Sequence, residues 1–476
     1  MSSCQCGVGW VKFTVLAALV AGGAATGLYL SGALPTDEAP QAVCPVATQG
    51  SPCCDAAPAV PQHRFPLGPL DVKDTMEAPE LAVNCCGKVF LTWASKTGEA
   101  ERTVYFTKSA DGKEFDAPRA VSKAGVYKTP ARGKMAGHER RATPHLAAMG
   151  QEVLLAWGDA RPENAGMRYA LATSTDTGKT FGAPRPVHQS EKATAAFTSF
   201  ARGLGGVLAC VWLDSRNGSQ QVYASVQPAD AEAFGPEVLV HAGEPGKGVC
   251  PCCPTAAAFA KDGTLYVAFR NISDGFRDIA VSRLRPGQTA FEGPFPVVEK
   301  TWKFEGCPHD GPSLAVVGDT LHVAWMDART GTQRSYFASA NVADMKFAAR
   351  ELNAAAAGTQ GNAKLFADSA GNLHAVWEQS TGTEPAPASH AGHQHAAPST
   401  GGGAGRAVQY AVMAKGQSAF WPVRAISPRA GAFQTRPSIA VSPNGAVFVA
   451  WNELDTAGKA VVVAQLTASG AEACHP

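Results

Sequence analysis

Between Pro144 and Val187 four short apolar runs follow one another, each bounded by turn-forming residues. Pro144-His145-Leu146-Ala147 comes first, then Val153-Leu154-Leu155-Ala156-Trp157, then Tyr169-Ala170-Leu171-Ala172-Thr173, and last Gly182-Ala183-Pro184-Arg185-Pro186-Val187. Each run is only a few residues long, alternating or rich in β-formers, and bounded by Gly, Asp, Asn or Pro. That pattern favours strands over helices. Similar four-run units recur along the chain, and a repeated four-strand unit predicts an all-β single β-propeller built of four-stranded blades.

The turn between the third and fourth runs is the most specific local signal. Ser174-x-Asp176-x-Gly178-x-x-Phe181 puts an Asp and a Gly where a tight hairpin needs side-chain-to-backbone hydrogen bonds and a positive φ, followed by an aromatic able to plug the sheet. Ser109-Ala110-Asp111-Gly112-Lys113-Glu114-Phe115 stands at the same place in the preceding unit. These two copies resemble the Asp-box, or BNR repeat, of sialidase-like propellers. The role the resemblance implies for the motif is structural: it folds a hairpin.

First strands are expected to start near Pro79, Pro144, Ala196, Pro254, Pro312, Asn362 and Pro437, and second strands carry Trp93, Trp157, Trp212, Phe269, Trp325, Trp377 and Trp451. The count predicts seven blades, with six the alternative if one repeat is an insertion; sialidases themselves have six. The last repeat lacks a fourth strand. A lone strand at 63–72 supplies it and leaves no sheet edge open. The propeller is therefore expected to occupy 63–470, with 471–476 as a C-terminal tail.

Net charge is +1 over 476 residues, which points away from nucleic acid as a partner. Residues 13–34 carry no charge and are long enough to span a bilayer. They are expected to form a transmembrane anchor behind a cytoplasmic segment 1–12, or a cleaved signal segment. Residues 35–62, rich in Pro, Ala and Gln, read as a linker. Either way the propeller is exported: anchored to an inner membrane and periplasmic, or secreted after cleavage. Of the 13 cysteines, Cys4 and Cys6 precede the anchor and stay on the reducing side, while the others become disulfides or metal ligands.

Two chemistries compete for the face that carries the loops entering first strands and joining second to third strands. Asp159, Asp214 and Asp327 each precede an Arg by two residues there, a pattern that ties turns together. The sialidase resemblance implies an Arg cluster gripping the carboxylate of an acidic sugar, for which Arg141, Arg270 and Arg436 are candidates, with Asp159 as acid or base. The nucleophile pair of those enzymes has no match in the sequence. Against this stand Val249-Cys250-Pro251-Cys252-Cys253-Pro254 and Gly306-Cys307-Pro308-His309, entering adjacent blades. This pairing resembles an uncharacterised exported subgroup of sialidase-like BNR proteins. Cys250, Cys252, Cys253, Cys307 and His309 could hold copper or zinc; the alternative is a pair of bracing disulfides. The 381–406 insertion, with His390, His393 and His395 in a low-complexity background, reads as a flexible loop with further ligands.

The preferred function is a non-catalytic binding protein for a metal, a small polar ligand or a protein partner, because the Cys clusters are explicit while the glycosidase residues must be assembled. Finally, the ring-closing seam gathers Cys53 and Cys54 of the linker, Cys85 and Cys86 of the Asn84–Gly87 turn, and Cys474, where a bridge would fasten the closing strand. Cys53 or Cys54 is expected to bond to Cys85 or Cys86, since vicinal cysteines rarely bond to each other without strain.

Overall fold

The computed structural model describes residues 62–71, 77–128, 139, 143–160, 166–306, 308–380, 405–426 and 428–466. The strands form five separate four-stranded antiparallel sheets and one eight-stranded sheet, an all-β arrangement consistent with a propeller. The first three sheets run through 80–125, 145–186 and 196–241, and the next two through 256–296 and 313–351. A single parallel pair, Arg406 with Phe433, joins the two halves of the eight-stranded sheet. One half holds Gln360–Ala367, Leu373–Ser380, Arg406–Met413 and Arg424–Ala425; the other holds Phe433–Val441, Val447–Asp455, Gly458–Leu466 and the N-terminal Gln62–Pro66.

The closing strand pairs antiparallel with the last strand, Gln62 opposite Ala464 and Pro66 opposite Ala460. It begins and ends earlier than the predicted 63–72. Pro66 and Pro69 have no N–H to donate, so pairing stops there apart from one bond from Leu67 N to Lys459 O at 2.9 Å. The closing strand also lays Phe65 on Trp93 of the first sheet, with ring centroids 5.2 Å apart. The strand expected to start at Pro437 starts instead at Phe433. Pro437 sits in a bulge between Thr435 and Ser438, where the ladder needs no donor.

The aromatics of the second strands are the core. Trp157, Trp212, Trp325, Trp377 and Trp451 are fully buried. A buried indole N–H needs an acceptor, and in a strand residue i+2 lies on the same face. Hence Trp212 donates to Asp214 at 2.8 Å, Trp325 to Asp327 at 2.9 Å and Trp451 to Glu453 at 3.2 Å. Neighbouring sheets are stitched through their first strands: Leu81 N donates to Ser438 Oγ, Leu146 N to Glu80 Oε1 and Leu365 N to Ser313 Oγ.

The two Ser-Asp-Gly turns fold by their own side chains. Ser174 Oγ accepts from Gly178 N at 2.8 Å, and Asp176 Oδ1 accepts from Lys179 N and Thr180 N. Those bonds to the ionised form, Thr180 first, hold the Asp176 carboxyl far below the usual range. Gly178 has φ +72°, and a Cβ there would lie 2.5 Å from the Phe106 ring of the preceding sheet, so the turn locks one sheet against the next.

Among the described residues no helix is long and apolar enough to cross a membrane; the segment expected to do so, 13–34, lies outside them.

Candidate metal centre

The loop from the third sheet into the fourth makes a tight turn at Glu244–Gly248, with Gly248 N donating to Glu244 O at 2.7 Å. It then attaches to both flanking sheets: Val249 N donates to Gln220 O at 2.7 Å and Cys250 N to Arg270 O at 3.1 Å. Two anchors in consecutive residues fix the loop where its cysteines follow. Cys250, Cys252 and Cys253 are 1–3% exposed and pack with Val249, Phe269 and Ile272.

Their three sulfurs converge. Cys250 Sγ lies 3.7 Å from Cys252 Sγ and 3.6 Å from Cys253 Sγ, and all three atoms fall within 4.8 Å of one another. A disulfide would hold two sulfurs at about 2.0 Å. At these distances Cys250 is bonded to neither neighbour; the alternative of bracing disulfides turns on Cys307, which is not among the described residues. Tetrahedral thiolate ligands at about 2.3 Å from a metal stand about 3.8 Å apart, close to what is observed.

The cluster is polarised. Hydrogen bonds from Cys252 and Cys253, and then the Arg277 and Arg270 guanidiniums, hold the Cys250 thiol well below its ordinary pKa. Burial pushes Cys253 the other way. Arg277 Nη1 donates to Cys250 Sγ at 3.3 Å while its Nε donates to Phe304 O at 3.0 Å, so one guanidinium bridges the cysteine loop and the loop that leads to Gly306.

That second loop runs alongside the first. A Cβ on Gly311 would lie 2.1 Å from Pro254 O, a backbone approach that no larger residue permits. Cys307 lies outside the described residues. His309 is partly buried with φ +56°. Asp310 is buried, accepts Asn362 N at 2.6 Å through Oδ2, and has its Oδ1 unpaired. Burial pushes its pKa up to about 6. Sequence reasoning missed Arg277 and Asp310: neither belongs to a motif, and their place depends on how loops from different sheets meet.

The glycosidase candidates among the described residues each have partners within the fold. Arg270 is 1% exposed, and its guanidinium donates to the carbonyls of Asp310, Arg277 and Met326 at 2.7–3.3 Å. Asp159 is ion-paired to Arg168 at 2.6 Å. Arg436 occupies the bulge of the last sheet's first strand with φ +53°, its N–H donating to Glu378. Arg141 lies outside the described residues. Asp214 and Asp327 pair with Arg216 and Arg329 inside their own turns, and it is Arg270 that ties neighbouring sheets.

His390, His393 and His395 also lie outside the described residues, as do Cys53, Cys54 and Cys474. Cys85 and Cys86 sit in the Asn84–Gly87 turn with sulfurs 3.8 Å apart, so they are not bonded to each other.

No family model and no curated protein matches the sequence. Solved structures of similar fold include the β-propeller domain of the Trilobed protease from Pyrococcus furiosus, at 10% identity, TM-score 0.45, covering 83% of this chain and 99% of that one. An α-L-arabinanase from Penicillium chrysogenum matches at 12% identity and TM-score 0.43, covering 87% and 98%. The NanB sialidase of Streptococcus pneumoniae matches at 11% identity and TM-score 0.41, covering 85% and 71%. The last two are a sialidase and an arabinanase, all three are propellers at low identity, and no activity follows from a likeness this distant.

Proposed function

We propose that this chain is an exported, membrane-anchored, seven-bladed propeller of sialidase-like type that binds a thiophilic metal ion, copper or zinc, and performs no catalysis of its own. The observation that carries the reading is the spacing of three buried cysteine sulfurs, 3.6 and 3.7 Å from Cys250 to its two neighbours. Three thiols converging at that distance in a cytoplasm-facing core would need no further explanation than packing. In an oxidising compartment they would be lost to oxidation unless bridged or metallated, and Cys250 is bridged to neither of its two neighbours.

The glycosidase alternative rests on residues otherwise engaged. Arg270 has its donors on backbone carbonyls and Asp159 is held by Arg168. The seventh blade is supported by the split of the eight-stranded sheet at the Arg406–Phe433 pair and by the closing strand. The metal reading is tested by elemental analysis of the purified, reduced full chain. About one copper or zinc ion per chain is expected, falling to background when Cys250, Cys252 and Cys253 are all changed to Ser. A metal-free wild-type protein that takes up neither ion on reconstitution would end the reading.

A further inference from the structure

A group of basic side chains gathers between the first and second sheets, in residues that the cysteine loop does not use. The last strand of the first sheet opens at Arg119, opposite Phe106 in the ladder. Its guanidinium lies 5.4 Å from the centre of the Phe106 ring and 5.3 Å from that of Phe181, so an aromatic from each of two neighbouring sheets fixes it. Arg119 Nη2 donates to Gly178 O, and Lys108 Nζ donates to Thr177 O at 3.0 Å, both carbonyls belonging to the second Ser-Asp-Gly turn. Carbonyls orient these cations without neutralising them, and each cation has further N–H donors to give.

The two side chains line a cavity of about 230 Å³ together with Phe106, Thr107, Asp116 and Lys179. Asp116 is the one carboxylate of that lining. Burial, and then Lys88, Lys179 and Arg119, hold the Lys108 ammonium below its ordinary pKa against the pull of Asp116. Four cations thus act together where the cavity offers one carboxylate, in a chain whose net charge is only +1. A bound anion relieves that crowding. The cavity is smaller than the roughly 300–1,000 Å³ that holds a drug-sized ligand, so it fits one charged group. A doubly charged tetrahedral group offsets more of the excess than a carboxylate does, and its oxygens suit guanidinium and ammonium donors together.

We propose that this cavity binds a dianionic tetrahedral oxyanion, a phosphate or a sulfate, with Lys108 and Arg119 as direct donors and the exposed Lys179 at its mouth. The proposal goes beyond the metal reading and stands without it.

The full chain is tested by equilibrium dialysis with radiolabelled sulfate at low ionic strength, where such charges are screened least, competed by inorganic phosphate, phenyl phosphate or acetate. Wild type is expected to retain sulfate, phosphate to displace it, and acetate to compete more weakly. Lys108→Gln is expected to weaken sulfate binding by about 10-fold or more, the lower end for a lost charge-assisted hydrogen bond. Lys179→Glu, at an exposed position, should weaken it as well and keeps the test decisive if Lys108→Gln does not fold. Lys113→Gln, which removes an exposed lysine beside Asp111 in the preceding turn, should change nothing. Phenyl phosphate competing better than phosphate assigns the site to an organic ester; equal competition assigns it to the free ion. No retention of sulfate by wild type, acetate competing as well as phosphate, or full affinity in Lys179→Glu overturns the proposal.

Discussion

Replacing Arg270 by Met separates a structural role for this residue from a role in holding an acidic substrate. The guanidinium makes four hydrogen bonds to three carbonyls, the shortest 2.7 Å to Met326 O, and those carbonyls belong to the fourth and fifth sheets and the loops between them. A hydrogen bond from a charged donor contributes about 1.5–3 kcal/mol, and removing one partner of a buried set costs more than the bonds return when rebuilt. Part of the loss is recovered as water reaches Asp310 O and Arg277 O. A net loss of about 4 kcal/mol follows, within the range for breaking a buried charged contact. For a cooperative unit of roughly 400 residues with an unfolding entropy of about 2.1 cal/mol/K per residue, that lowers Tm by about 5 °C. Differential scanning calorimetry of both proteins measures it. Arg270→Lys is not expected to rescue, because an ammonium cannot span three carbonyls in a planar fork. A Tm within 1 °C of wild type would refute the reasoning and return Arg270 to the list of ligand-gripping residues.

Burial pushes His322 down to about 4, so the folded state keeps it neutral while the unfolded chain takes up a proton below pH 6.5. Stability is therefore expected to be full above pH 6.5 and to fall as pH drops toward 4, by up to about 3 kcal/mol from this group; His322→Gln should flatten that limb in urea titrations. Gly311→Ala puts a methyl 2.1 Å from Pro254 O and should cost about 1–3 kcal/mol by parting the two loops, read as a lower urea midpoint with weaker metal uptake. Peptide mapping without reductant is expected to link Cys53 or Cys54 to Cys85 or Cys86, and recovery of all four as free thiols would leave strand pairing alone to close the ring. The wild-type chain should release no fluorogenic phenol from a sialoside; release abolished by Arg141→Ala would reverse the non-catalytic reading.

The repeat was legible because strand periodicity, turn residues and the Trp positions all act over a few neighbouring residues. Trp212 and Asp214 show why: the indole and its acceptor are two residues apart, and a strand places them on one face whatever the rest of the chain does. Where the reading slipped, the competing term was equally local. Pro437 looked like a strand start, yet a bulge lets a proline sit inside a strand, and the positive φ of Arg436 is the cost of that bulge.

The site was legible only in part, and the division follows from physics. Cysteine spacing identified three sulfurs able to meet, since Cys250, Cys252 and Cys253 share one short loop. It could not identify what faces them. Arg277 comes from a turn 27 residues later and reaches Cys250 only because Phe304 O holds its other nitrogen. Arg270 is the opposite case: its place at the end of a second strand shows in the sequence, but the backbone carbonyls that take its donors do not. Charge placement around a buried centre is therefore a tertiary property, set by which loops the sheets bring together.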